Sequence, residues 1–134
     1  MGDEVVLTWK TTEGLENSNC LKIFFKISEK VYEKRRYYRE KNGEIPDFKA
    51  GIHFGKVITA QIGDIKREII YNGDVLNTGA RIQEQCNKYD RRLLISGELL
   101  NQLDIKNEYK AENLGTVKLR GKENPIELFS LVQF

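Results

Sequence analysis

A single histidine, two cysteines, two prolines and one tryptophan in 134 residues exclude several kinds of chemistry at the outset. Cys20 and Cys86 are far apart and fall in neither a zinc nor a disulfide spacing, so a reduced, cytoplasmic setting is expected. His53 has no second histidine and no cysteine partner, which leaves a histidine metal centre short of ligands. A satisfied structural role is therefore expected for it. Apolar runs are far below the ~20 residues that a membrane helix needs. The first residues, MGDEVVLTWK, carry acids where a secretory leader carries bases, so neither a leader nor a membrane segment is expected. Charge of one sign is also lacking: 22 Lys+Arg against 20 Asp+Glu leave a net charge of +2, which does not suit a dedicated nucleic-acid binder. Repeats, low-complexity tracts and interdomain linkers are not evident, and the length suits one domain with a real core.

The periodicities that are present divide the chain into short elements. Glu4 to Lys10 alternates as a strand, with Val5, Leu7 and Trp9 on one face. Thr11 to Asn19 reads as a loop ending in good helix caps, and Cys20 as a small apolar packing residue. Leu21, Phe24, Phe25, Val31, Tyr32 and Tyr38 recur at threes and fours, predicting one long helix from about Ser18 to Lys41 that Gly43 stops. Its end, KRRYYREK, could offer stacking aromatics to a nucleic acid, but it is read as a solvated helix end whose cations complement the dipole, because the rest of the chain is not basic. Phe48 to Phe54 and Val57 to Ile62, joined across Gly55, read as an antiparallel hairpin. Asp64 to Glu68 is a polar turn leading into the strand at Ile69 to Tyr71. Leu93 to Ser96 is a short buried strand, and Ser96 caps a short helix from Gly97 to Leu103. Asp104 to Asn113 is irregular. Val117 to Leu119 and Ile126 to Val132 form a closing hairpin across a basic turn that could hold an anion through Arg120 and Lys122. The expected architecture is α+β: a mostly antiparallel sheet with helices on one face, its core similar to a ferredoxin-like unit.

One stretch organises this pattern. In IIYNGDVLNTGAR, Ile69 to Arg81, a strand ends in β-formers, Asn72-Gly73 turns, and Asp74 stands at a helix N-cap position ahead of Val75, Leu76, Ala80 and Ile82. Asn77 and Arg81 are four apart and project from one side of that helix. An amide and a guanidinium near free helix N–H groups suit a phosphate, though the spacing equally fits a bland exposed polar pair.

Three blocks in order, GIHFGKVITAQIG (Gly51 to Gly63), IIYNGDVLNTGARIQ (Ile69 to Gln83) and GTVKLRGKENPIELFSLV (Gly115 to Val132), resemble the class III nucleotide cyclase catalytic domain. They correspond to its GIxxGxV hairpin, its GDxVNxxxR segment and its closing LRG/LKG hairpin. The resemblance covers nearly the whole chain but only about the last two-thirds of a complete domain. It implies a ferredoxin-like cyclase core, truncated at the N-terminus, that converts a nucleoside triphosphate to its 3′,5′-cyclic monophosphate and pyrophosphate. It further implies a two-metal site holding Mg²⁺ or Mn²⁺, with Asp3 as one metal carboxylate. Asn77 would orient the ribose or the reacting centre, and Arg81 would neutralise charge on the α-phosphate. Arg120, where the family commonly has lysine, would bind the terminal phosphates, a change that a guanidinium tolerates because it can chelate two oxygens. The implied partners are ATP or GTP and a second cyclase domain, as a homodimer.

Two departures from the family pattern bear on activity. The first metal aspartate and the purine-reading lysine would both precede Met1, so the metal site is incomplete, this chain alone is expected to be inactive, and an unpaired sheet edge is expected beside Val5 to Trp9. Ile70 occupies the position where adenylate-specific relatives carry an aspartate for the adenine amino group. Isoleucine can pack on a base but cannot accept its hydrogen bond. The choice of nucleotide stays open with a lean to ATP. A non-catalytic cyclase-like module that dimerises and binds nucleotide is the alternative. An RNA-binding module on a similar fold would need exposed aromatics on RNP-like strands, which LKIFFKI and KAGIHFGKV do not supply.

Overall fold

Alternation of apolar residues fixes which faces of the central sheet are covered. The structure, a computed structural model, describes residues 7, 9–44, 48–55, 58–62, 68–72, 74–105 and 108–133, with backbone only at 58–62, 68–72 and 74. Four strands, β1 (Ala50–Ile52), β4 (Leu93–Ser96), β5 (Tyr109–Val117) and β6 (Ile126–Gln133), form one sheet in the order β1-β4-β6-β5. β1 runs parallel to β4, and the other two pairings are antiparallel. Two further strands, β2 (Ile58–Ile62) and β3 (Glu68–Asn72), pair antiparallel as a separate ribbon. The α+β class and the mostly antiparallel character are as the sequence suggested. The antiparallel hairpin expected between Phe48–Phe54 and Val57–Ile62 is corrected, because β1 pairs with β4 and β2 with β3. Strand-period alternation marks a half-buried strand without naming its neighbour, and that ambiguity misled the reading.

Helices cover both faces of the sheet, not one. The 15-residue helix α2 (Asn19–Glu33) puts Cys20, Leu21 and Phe24 against Leu93, Ile95, Tyr109 and Leu131, with Ala50, Ile52 and Phe129 packed around them. The 16-residue helix α4 (Asp74–Tyr89) puts Ile82 and Cys86 against Leu94, Leu119 and Leu128. Leu93 and Ile95 thus face α2, while Leu94 between them faces α4, as a strand's two-residue period demands. Full burial of such side chains contributes about 1.5–3 kcal/mol each, so β4 is the sheet's apolar spine. The two thiols lie in different clusters, both buried and unpaired, in keeping with a packing role for Cys20.

Gly51 lies on the α4 face of β1, paired with Leu94. A β-carbon there would come within 2.5 Å of the Gln83 backbone N and 2.6 Å of the Gly79 carbonyl oxygen. The two backbones approach this closely because neither interposes a side chain: the contact is glycine against a helix turn that itself contains Gly79. Beside it, the Cys86 thiol donates to the Ala50 carbonyl at 3.6 Å, and Lys49 hydrogen-bonds Asn87.

β5 carries a bulge. Asn113 pairs with Phe129 and Gly115 with Leu128, so β5 advances two residues while β6 advances one. Gly115 takes φ +93°, and its N–H donates to the Asn113 side-chain oxygen at 2.7 Å. Before the bulge Tyr109 and Ala111 face α2. After it Val117 faces the α4 cluster, a change of parity that an unbroken strand could not make. β5 also starts earlier than expected, since Asp104 to Asn113 was read as irregular and Tyr109 onward is strand. Its polar, alternating edge, Lys110, Glu112 and Asn113, hid the pattern.

The N-terminal expectations fare unevenly. Residues 1–6 and 8 lie outside the described residues, while Leu7, Trp9 and Lys10 are exposed and carry no strand pairing. The loop expected over Thr11 to Asn19 is instead helix α1 (Thr11–Leu15) followed by a 3-10 turn, Glu16–Ser18. Asn17 and Ser18 take left-handed φ of 52° and 55°, so Ser18 makes no cap hydrogen bond to α2. Its hydroxyl instead donates to the Asp104 carbonyl at 3.4 Å. The single long helix is also corrected: α2 breaks at Lys34 and α3 (Arg35–Asn42) follows, ending at Gly43 with φ +77° as expected. Within α3 no residue is buried. Arg35 sits 4.0 Å over the Tyr32 ring and Lys41 5.3 Å over Tyr37, so the helix's own cations lie against these two tyrosines, which stay exposed.

Replacing Gly51 with alanine forces a β-carbon into the α4 backbone. The expected cost is about 1–3 kcal/mol, read as a lower urea midpoint with unchanged m-value. Burial pushes the Cys86 thiol up to about 11, outweighing the lowering effects of Lys49 and of its hydrogen bonds. Because the folded state holds this proton more tightly, the associated stability is full below the unfolded thiol's ordinary value near 9 and is lost as pH rises towards 11. Denaturation midpoints measured from pH 8 to 11 are expected to fall, and a Cys86→Ala variant to show a shallower fall.

Candidate active site

α4 divides lengthwise by burial. Thr78, Ile82 and Cys86, four apart, are buried on the sheet side. Rotated from them on the same helix, Asn77 is exposed, Arg81 half-buried and Glu84 exposed. α4 begins at Asp74, so Asp74 is its first helical residue and the cap position falls at Gly73, outside the described residues. Asn77 therefore sits in the first turn, where backbone N–H groups lack helical acceptors, and Arg81 one turn further on.

The closing turn brings a second guanidinium to this face. Leu119 is buried among Ile82, Cys86, Leu94 and Leu128, which anchors the chain just before the turn. The Lys122 N–H donates to the Leu119 carbonyl at 3.1 Å, and Gly121 takes φ +78°, the positive angle that a type II turn needs at its third position. Between them Arg120 points outward and reaches α4. Arg81 Nη1 donates to Glu84 Oε1 at 2.6 Å, and Arg120 Nη2 donates to the same oxygen at 3.1 Å.

Arg81 and Arg120, picked from separate blocks of sequence as phosphate ligands, thus meet at one carboxylate oxygen. Exposed ion pairs of this kind contribute little stability, about 0.2–1 kcal/mol each, so the cluster is not what holds the fold together. What it offers is two planar donor forks held together, the geometry that suits multiply charged phosphate oxygens. Glu84 was missed in the sequence. Its i,i+3 spacing to Arg81 was legible, but its contact with Arg120, 36 residues away, is a product of the fold.

The remaining candidates are placed less fully. Ile70 lies on β3 opposite Ala60, with its backbone alone described. Asp3 lies outside the described residues, and among those described no three His, Cys, Asp or Glu side chains gather as a metal site. His53 has the structural role expected of it: its Nδ1 lies 2.7 Å from Ser96 Oγ. Ser96 caps α5 (Gly97–Leu100) as foreseen, accepting from the Leu99 N–H at 3.2 Å, and that helix is shorter than the expected span to Leu103.

Arg81 on α4 and Arg120 on the closing turn thus converge on one face of an α+β domain. The chain belongs to the adenylate and guanylate cyclase catalytic domain family, whose profile matches residues 2–133. It is similar to adenylate cyclase 2 of Rhizobium meliloti (strain 1021), with 32% identity over 131 residues, 98% of this chain and 36% of that protein. It is also similar to the photoactivated adenylate cyclase subunit alpha of Euglena gracilis, 27% identical over 81 residues, 60% of this chain and 8% of that protein. A solved adenylate cyclase from Trypanosoma brucei, described in its monomeric state, superposes with a TM-score of 0.49 at 18% identity, covering 78% of this chain and 52% of its own. The chain thus spans only part of each of these proteins. No helix among the described residues is long and apolar enough to cross a membrane.

Ser96→Ala removes both the α5 cap and the His53 contact. The expected loss is about 1 kcal/mol or somewhat more, seen as a lower thermal midpoint.

Proposed function

We propose that this chain carries a nucleotide cyclase catalytic function that acts on ATP in preference to GTP. In the reaction the ribose 3′-hydroxyl releases its proton to solvent and its oxygen attacks the α-phosphorus. The O3′–Pα bond forms, the bond from Pα to the bridging oxygen breaks, and pyrophosphate leaves with that oxygen. The observation that carries this reading is the meeting of Arg81 and Arg120 at one point on the surface of α4. Arg81 would stabilise charge growing on the α-phosphate oxygens and Arg120 would hold the terminal phosphates, which become the leaving group. Asn77, exposed one turn before Arg81, would orient the ribose.

The preference for ATP draws on the adenylate cyclase relatives. Ile70 would pack on the base without reading its amino group. Mg²⁺ or Mn²⁺ would lower the pKa of the 3′-hydroxyl when bound, with Asp3 as one carboxylate. The steps assigned to this chain are those of its arginines and its amide. A second cyclase domain, as a homodimer, would complete the site, in a cytoplasmic setting. On this reading the 134-residue chain alone is inactive.

The test is a turnover assay with Mn²⁺ and either ATP or GTP, resolving cyclic nucleotide by chromatography, on this chain and on one that carries, ahead of it, a strand with a further metal aspartate and a purine-reading lysine. Product from the longer chain only, with ATP faster than GTP, is expected. Arg81→Ala in the longer chain is expected to lower kcat by about 100-fold or more. An unchanged rate in that variant would overturn the role given to Arg81. No product from the longer chain would favour the non-catalytic dimerisation module.

A further inference from the structure

We propose that Glu84 is a built-in competitor for the polyphosphate: its Oε1 stands where a phosphate oxygen would sit, and ligand binding exchanges one anion for the other. This rests on the reading of Arg81 and Arg120 as phosphate ligands. Three observations support it. One oxygen, not two, accepts from both guanidiniums, at 2.6 Å and 3.1 Å, so the point of convergence is single, as for one phosphate oxygen. The Glu84 side chain is 43% exposed, so it can swing into solvent without opening the core. The backbone on either side is fixed independently of the ion pairs, by Ile82 and Cys86 on α4 and by Leu119 before Arg120. The arginines therefore stay near each other when the carboxylate leaves.

The physical consequence is a choice between two charge states at one place. With Glu84 in place the cluster carries a net charge of +1, and both guanidiniums have an acceptor. A ligand anion must either displace the carboxylate or bind beside it against repulsion. A cyclic monophosphate carries a single negative charge, no more than the carboxylate it would displace. A pyrophosphate moiety offers several oxygens in one molecule and can replace both ion pairs at once. Glu84 thus lowers the affinity for every anion at the site, and it leaves an unliganded domain with its arginines paired and away from stray carboxylates.

Binding of inorganic pyrophosphate to the full chain, followed by calorimetry at low salt, tests this with the unaltered protein, Glu84→Gln, Glu84→Asp, Arg81→Ala and Arg120→Ala. Freeing two exposed ion pairs is expected to tighten pyrophosphate binding by about 2- to 10-fold in Glu84→Gln. Glu84→Asp, which keeps the charge, is expected to tighten binding less than Glu84→Gln does. Both arginine variants are expected to bind more weakly. If Glu84→Gln binds no tighter while the arginine variants lose affinity, the phosphate site stands and the competitor role is overturned. If the arginine variants bind like the parent, or no protein binds pyrophosphate, the phosphate-site reading fails and the competitor role falls with it.

Discussion

The contact between β1 and α4 at Gly51 sets the geometry on which the site depends. A helix packed on a sheet is ordinarily held about a side chain's thickness away. Here the Gly51 position lies against the Gly79 and Gln83 backbone, and any β-carbon would overlap it. The helix is therefore fixed in height, and its rotation is fixed by Thr78, Ile82 and Cys86 turning inward. With rotation fixed, Asn77, Arg81 and Glu84 fall on the outer side. The charged face of α4 is thus a consequence of what the buried face must satisfy.

The second half of the site depends on a different device. A strand without interruption would have carried Val117 to the α2 face. The bulge at Asn113–Gly115 shifts the parity, so that Val117, and Leu119 beyond the strand, join the α4 cluster. Leu119 then acts as an anchor, and the turn that follows, tightened by Gly121, presents Arg120 beside α4. The core on this face and the charged cluster above it are two sides of the same packing: each buried residue has a neighbour in sequence that must point out.

Much was open to reading from residues alone. The strand at Leu93 to Ser96 announced itself as a short apolar run, and its cap at Ser96 as a hydroxyl before a short helix. The start of α4 could be placed to within a residue, because Asn72-Gly73-Asp74 punctuates it. Gly43 marked a helix stop by the one property that glycine does not share, free access to positive φ. Motif order pointed to the cyclase family before any coordinates. Where the reading failed, the missing information was non-local. Nothing in Phe48 to Phe54 says that its partner is Leu93 to Ser96 rather than the strand that follows it. Nothing in Tyr109 to Asn113 separates a polar edge strand from a loop. The loop expected at Thr11 to Asn19 is a helix and a tight turn, its direction set by Asn17 and Ser18 in conformations that their side chains only weakly favour.

By itself, then, the sequence determined the element types with strong local signals, the α+β class and the family, and it singled out Asn77, Arg81 and Arg120 as candidates. It could do so because capping, periodicity and turn chemistry act over a few residues. Only the tertiary structure decided that helices cover both faces of the sheet, that β1 runs parallel to β4, and that Arg81 and Arg120 share Glu84 as their common partner. Those outcomes follow from backbone approach at Gly51 and from a parity change at Gly115, interactions between groups tens of residues apart that no local pattern encodes.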